Sequence, residues 1–155
     1  MLAEWLVALE GASLATALRN SVWAYPLVNT GHILGIALLV GGSAPLSLRI
    51  LGAWKSIPLE PWRKALSRTA DAGFLLALAC GFLLFSARAS AYARSGLFLS
   101  KMLLLLLAVA GTLGMRLLSA RAAAGGRPGP ARAAAAFSLA AWLAVLTLGR
   151  LIGYF

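Results

Sequence analysis

Val22-Trp-Ala-Tyr25-Pro26-Leu-Val-Asn29-Thr-Gly31-His32-Ile-Leu-Gly35-Ile-Ala-Leu-Leu-Val-Gly-Gly-Ser-Ala-Pro-Leu46 contains no Asp, Glu, Lys or Arg. A helix rises about 1.5 Å per residue, so this run alone reaches across a hydrocarbon core of about 30 Å. Its length and lack of charge set the class as a membrane-spanning helix. Working outward, three more apolar blocks follow at 71–89, 97–118 and 133–152, each long enough to cross. The expected fold is therefore all-α integral membrane. It is a four-transmembrane-helix bundle in a single domain, 1–155, with spans at 22–46, 71–89, 97–118 and 133–152.

Composition agrees. The chain is 61% hydrophobic and only 12% charged, where a soluble domain of this size would expose far more charge. Residues 1–18 carry Glu4 and Glu10 and make a poor span. Leu2, Trp5, Leu6 and Leu9 share one face at helical spacing, with Glu4, Gly11 and Ala15 on the other. Leu14 and Leu18 fall off the apolar face. An N-terminal interfacial amphipathic helix is expected there, with Asn20 or Ser21 capping the next helix. With no Lys or Arg before Glu4, the start does not look like a cleaved signal peptide.

Within the first span, Gly31 and Gly35 form GxxxG, followed by Gly41, Gly42 and Ser43. Small residues let helix backbones approach closely, so this helix is expected at the centre of the bundle. Pro26 is tolerated in a first turn. Pro58 and Pro61 are expected to break any long helix in the connection 47–68, leaving room for a short interfacial helix. Arg88 to Gly96 reads as a short turn, and Ala122 to Pro130 as a flexible loop.

The net charge of +10 does not point to nucleic acid, because the cations lie between the apolar blocks and form no stripe. Arg49, Lys55, Arg63, Lys64 and Arg68 flank the first connection, and Arg116, Arg121, Arg127 and Arg132 the third. Arg19, Arg88, Arg94, Lys101 and Arg150 lie on the other side. The positive-inside rule then places the first and third connections in the cytoplasm. Both termini are expected in the periplasm, with the protein in the bacterial inner membrane.

That orientation collects polar groups in the outer leaflet. Tyr25, Asn29 and His32, the single histidine, are spaced by four and three residues and share one helical face. Thr147, Arg150 and Tyr154 come from the last span, and Ser86, Arg88, Ser100 and Lys101 from the ends of the middle two. Buried polar residues face the bundle or a cavity. Asn29 and His32 either hold the helices together by hydrogen bonds or, with Tyr25, Thr147 and Arg150, form a cofactor-binding site. Arg150 alternatively snorkels to the headgroups.

A quinone carbonyl or a lipid headgroup suits such a site. Haem fits less well. One histidine excludes a bis-His site within the chain, and Met115 and Met102 lie at other depths. A haem shared by His32 from two copies across a dimer axis is the arrangement left open. No residue is assigned to a metal: Cys80 is alone, no CxxC exists, and a packing role is expected. Walker, GxSxG and HExxH motifs are missing, as is any carboxylate pair in the spans. No catalytic residue and no enzymatic activity of its own are therefore expected. Asp71 is expected to pair with Arg68 or Arg116, Trp5, Trp23, Trp54 and Trp62 to form aromatic belts, and Trp142 to serve packing.

Ser21-Val-Trp-Ala-Tyr25-Pro26, His32-Ile-Leu-Gly35, Leu48-Arg49-Ile-Leu-Gly52 and Gly149-Arg150-Leu-Ile-Gly-Tyr154 together resemble a family of small bacterial inner-membrane proteins with about four helices. Ala72-Gly-Phe74, Gly81-Phe-Leu-Leu-Phe-Ser-Ala-Arg88 and Lys101 agree with it. The resemblance implies an acidic residue before Leu48, where this chain has Ser47. It also implies Asn and His late in the third span, where Ala110-Gly-Thr-Leu-Gly-Met115-Arg116 stands instead. A second metal or haem ligand is thereby lost. A distant likeness to copper-resistance membrane proteins and b-type cytochromes rests on helix count and a histidine in the first span.

The expected function is a membrane-embedded accessory or anchoring subunit of a bacterial respiratory or redox assembly. Its partners would be the bilayer and other membrane subunits or a second copy. The alternatives are a small copper-type metal transporter and a b-type electron carrier with a shared haem.

Overall fold

The structure, a computed structural model, describes residues 1–151 and Tyr154. Ile152, the expected end of the last span, and the side chain of Leu2, expected on the first apolar face, lie outside the described residues, as do Gly153 and Phe155. Seven helices and no strand occur among the described residues: α1 Leu2–Gly11, α2 Ser13–Asn20, α3 Ala24–Leu51, α4 Leu59–Ala87, α5 Ala89–Arg94, α6 Gly96–Ala123 and α7 Pro128–Leu151. Four of them, α3, α4, α6 and α7, are long and apolar enough to cross a membrane. They run up and down, so α1, α2, α5 and the end of α7 share one end, here the upper. The loops 52–58 and 124–127 share the lower.

The long helices exceed the expected spans, and prolines explain two of the differences. α4 is continuous from Leu59, with no separate interfacial helix before it. Pro58 precedes its first residue and Pro61 sits in its first turn, where a missing N–H breaks no helical bond. α7 likewise starts at Pro128. α3 continues past Leu46 to Leu51 with Pro45 inside it. On either side of Pro45, the Ser43 and Ser47 hydroxyls turn back to the carbonyls of Leu39 and Ser43, at 2.8 and 2.9 Å. Gly52, at φ 120°, then ends the helix. Arg88 to Gly96 holds the short helix α5 where a turn was expected.

The N-terminal segment is two helices, because the chain turns at Ala12 (φ −58°, ψ 144°). The break re-phases α2 relative to α1. Ala15, expected on the polar face, is 1% exposed, and Leu18, expected off the apolar face, is 6% exposed. Trp5 is 79% exposed and Leu14 is 64% exposed. The hairpin is latched to the upper end of α4 and α5. Arg19 donates to Ala87 O at 3.0 Å and to Glu10 O at 2.6 Å, while Glu10 accepts from the Ser90 N–H at 2.7 Å.

α3 packs closely on α4 through glycines on both. A Cβ at Gly35 would stand 2.5 Å from Ala77 N, one at Gly42 2.5 Å from Leu66 O, and Gly73 faces the Leu39 backbone as closely. Gly31 faces Cys80 Sγ, so the GxxxG pair finds its partner within the chain. α6 packs on α7 and α7 on α3, whereas α4 and α6 nowhere bring their backbones together. The fourth side of the ring is closed by side chains: Phe74, Leu104 and Leu105 pack against a core of Leu39, Ala108, Trp142 and Val145. Lower down, Arg116 joins Asp71 at 2.7 Å.

One polar knot lies in the α6–α7 interface. Thr112 Oγ1 is 2.9 Å from Ala108 O, Ser138 Oγ and Trp142 Nε1. The hydroxyl has one hydrogen and two lone pairs. It donates to Ala108 and accepts from Ser138 and Trp142, which satisfies every member. Trp142, expected only to pack, is thus also a donor.

Candidate functional site

His32 lies about 12 Å below the start of α3. Its Nδ1 is 2.8 Å from Ala77 O on α4. A carbonyl only accepts, so Nδ1 carries the hydrogen, and in the neutral ring Nε2 keeps a free lone pair. The ring fits there because position 81 is glycine: a Cβ would stand 2.9 Å from its Cε1. α3 thus supplies the imidazole, and α4 supplies both its acceptor and the notch that receives it.

Lys101 enters from α6, roughly 8 Å below the start of that helix. Its side chain leans across α7, with Nζ 3.5 Å from the position a Cβ at Gly149 would take. The residue is half-buried and has no ion pair or hydrogen bond among the described residues. A cation inside an apolar bundle with no protein counter-charge is costly, and such residues mark sites for function.

All five expected site residues stand at the upper end, but no hydrogen bond joins any two of them. Tyr25 is partly exposed, with its hydroxyl beside that of Tyr92. Asn29 is exposed. Thr147 is exposed and donates to Leu143 O at 2.9 Å. Arg150 is exposed and turns to Tyr154, donating to its hydroxyl at 2.9 Å with the guanidinium 5.0 Å from the ring centre. Only His32 is directed between helices. The Gly81 notch on α4 receives its ring, and Lys101 stands on α6 at the same end of the bundle. The sequence signal for Lys101 was a single cation one turn inside an apolar block. Nothing local marked Gly81.

Beside the site, Phe85, Tyr92 and Phe98 form an aromatic cluster with centroids 5.2–6.3 Å apart. Burial, then the neighbouring Tyr25, raises the Tyr92 phenol above its ordinary pKa, with Arg88 opposing. At the lower end Asp71 pairs with Arg116, one of its two expected partners.

The chain matches no protein-family model, no curated protein and no solved structure. The chemistry must therefore be read from these side chains alone. Lys101 offers three N–H donors and His32 Nε2 one acceptor. Together they suit a group that presents a carbonyl or hydroxyl oxygen. A haem held by His32 and Met115 fits poorly, because Met115 lies in the lower half and its Sδ already sits 3.3 Å from the Ser47 hydroxyl. Among the described residues no three His, Cys, Asp or Glu side chains stand together.

Proposed function

We propose that the chain is a membrane-embedded accessory or anchoring subunit of a larger bacterial redox assembly. Its upper end receives the oxygen-bearing head of an amphiphile, a quinone first among them. The support for this reading is that the upper end holds both the Lys101 side chain, which leans across α7 and makes no hydrogen bond or ion pair among the described residues, and the His32 imidazole, whose Nδ1 is bound to Ala77 O and whose Nε2 makes no hydrogen bond there. Lys101 would donate to a carbonyl oxygen, and His32 would accept a hydroxyl hydrogen or hold the proton released from it. A bound quinone would supply the redox chemistry; these residues would hold and orient it and exclude water. Tyr25, Asn29, Thr147 and Arg150 ring the same end and would meet headgroups rather than the ligand. The charge bias, nine cations toward the lower end against five toward the upper, places the upper end in the periplasm in this reading.

Binding of a short-chain benzoquinone to the purified chain in nanodiscs, followed by tryptophan quenching, tests the site. Lys101→Met is expected to weaken binding roughly 10- to 100-fold, the value of one charge-assisted hydrogen bond. Binding that is indifferent to both Lys101→Met and His32→Ala would sink the ligand reading. Gentle extraction from the native membrane tests the subunit reading separately. Co-purifying membrane chains are expected, and a chain that is always alone would count against it.

A further inference from the structure

At the upper end, away from Lys101, a hollow of about 670 Å³ opens between the α1–α2 hairpin and α5. Arg19, Arg88 and Arg94 line it against one carboxylate, Glu10, so three positive charges less one negative leave a net +2. Arg19 and Glu10 are committed to the fold. Arg19 donates to Ala87 O, Glu10 O and Thr16 Oγ1, and Glu10 accepts from Ser90 N–H. Arg88 and Arg94 are different. Both are exposed, and neither makes a hydrogen bond or ion pair among the described residues. Two guanidinium forks therefore stand free over a rigid floor that the Arg19 latch builds. Their planar donor pairs match the oxygens of a phosphate.

We infer that this hollow binds the phosphate of an anionic lipid headgroup, independently of the Lys101–His32 site. Three features favour a lipid over a free phosphate. The hollow is open at the side and shares its wall with Val7 on α1. The same end exposes Val7, Trp5 and Trp23 to the surroundings, which suits an interface where rings sit among headgroups. It also lies where two of the four long apolar helices end or begin, at Ala87 and Gly96. A lipid anchored by its phosphate could lay its acyl chains along those helices. Three of the five cations at this end line the hollow, and two of them, Arg88 and Arg94, have no protein partner among the described residues.

The full chain is placed in phosphatidylcholine nanodiscs doped with phosphatidylglycerol, and retained lipid is counted by native mass spectrometry. Preferential retention of phosphatidylglycerol is expected. Arg88→Ala with Arg94→Ala should lower that preference about 30-fold. Lys64→Ala with Arg68→Ala, which removes the same charge at the opposite end, should leave it intact. Arg88→Lys with Arg94→Lys keeps the charge and the fold but loses the forks, and an intermediate loss is expected. Equal losses in the two alanine pairs would reduce the effect to bulk charge and overturn the site. So would an unchanged preference without Arg88 and Arg94. Displacement of the lipid by millimolar inorganic phosphate would assign the hollow to a free anion and overturn the lipid assignment.

Discussion

His32 is the only imidazole in the chain, so one nitrogen-15 histidine spectrum reads its seat without assignment. Gly81→Ala would place a methyl 2.9 Å from Cε1. The ring must then move, and the Nδ1–H signal bonded to Ala77 O is expected to weaken or shift, at a cost of about 1 kcal/mol. Thr112→Val tests the polar knot. It strands the hydrogens of Trp142 and Ser138 together, and about 1–2 kcal/mol of stability should be lost in a denaturing-detergent titration. Ser138→Ala should cost less, since Thr112 keeps its bond to Ala108 and still receives Trp142. Tyr92 gives a pH test. Its pKa is raised in the folded chain, so above about 10 the unfolded chain loses this proton first. Stability conferred by Tyr92 is complete below that pH and declines above it, and Tyr92→Phe should remove this part of the alkaline slope. At this scale, sequence located the histidine but not its surroundings. Helical spacing shows which residues share a face. It does not show that Asn29, Thr147 and Arg150 face outward, nor that position 81 of a distant helix is hollowed to take a ring.

The hairpin α1–α2 shows what an element owes to a single side chain. Arg19 bonds to α1, α2 and the last carbonyl of α4. Arg19→Ala should free residues 2–20 to exchange amide hydrogens faster while the four long helices keep their protection. Slowed or unchanged exchange there would show that the Ala15 and Leu18 contacts suffice alone. The long helices themselves were legible as apolar blocks. Their ends were not, because proline reads as a breaker in sequence yet is benign in a first turn, and Pro45 sits inside α3 without ending it. The division of the N-terminal helix was missed too, although Gly11 and Ser13, which flank Ala12, are residue types that end and begin helices.

For the whole molecule, the charge bias makes a statement about orientation. A periplasm-active phosphatase fused after Phe155 should be active, and one inserted in loop 124–127 inactive; the reverse pattern would invert the molecule in its membrane. Two sides of the helix ring close over glycines, α3 against α4 at Gly35, Gly42 and Gly73 and α6 against α7 at Gly111, and on a third α7 packs on α3. The fourth, α4 against α6, rests on side chains alone: Phe85 stacked on Phe98 at the top, Phe74, Leu104 and Leu105 in the core, and Arg116 on Asp71 below. Side-chain tips yield to thermal motion more readily than opposed backbones do. That seam is therefore the one expected to admit an oily molecule sideways from the lipid, with no need of an aqueous mouth, and a covalent staple across it should bar entry.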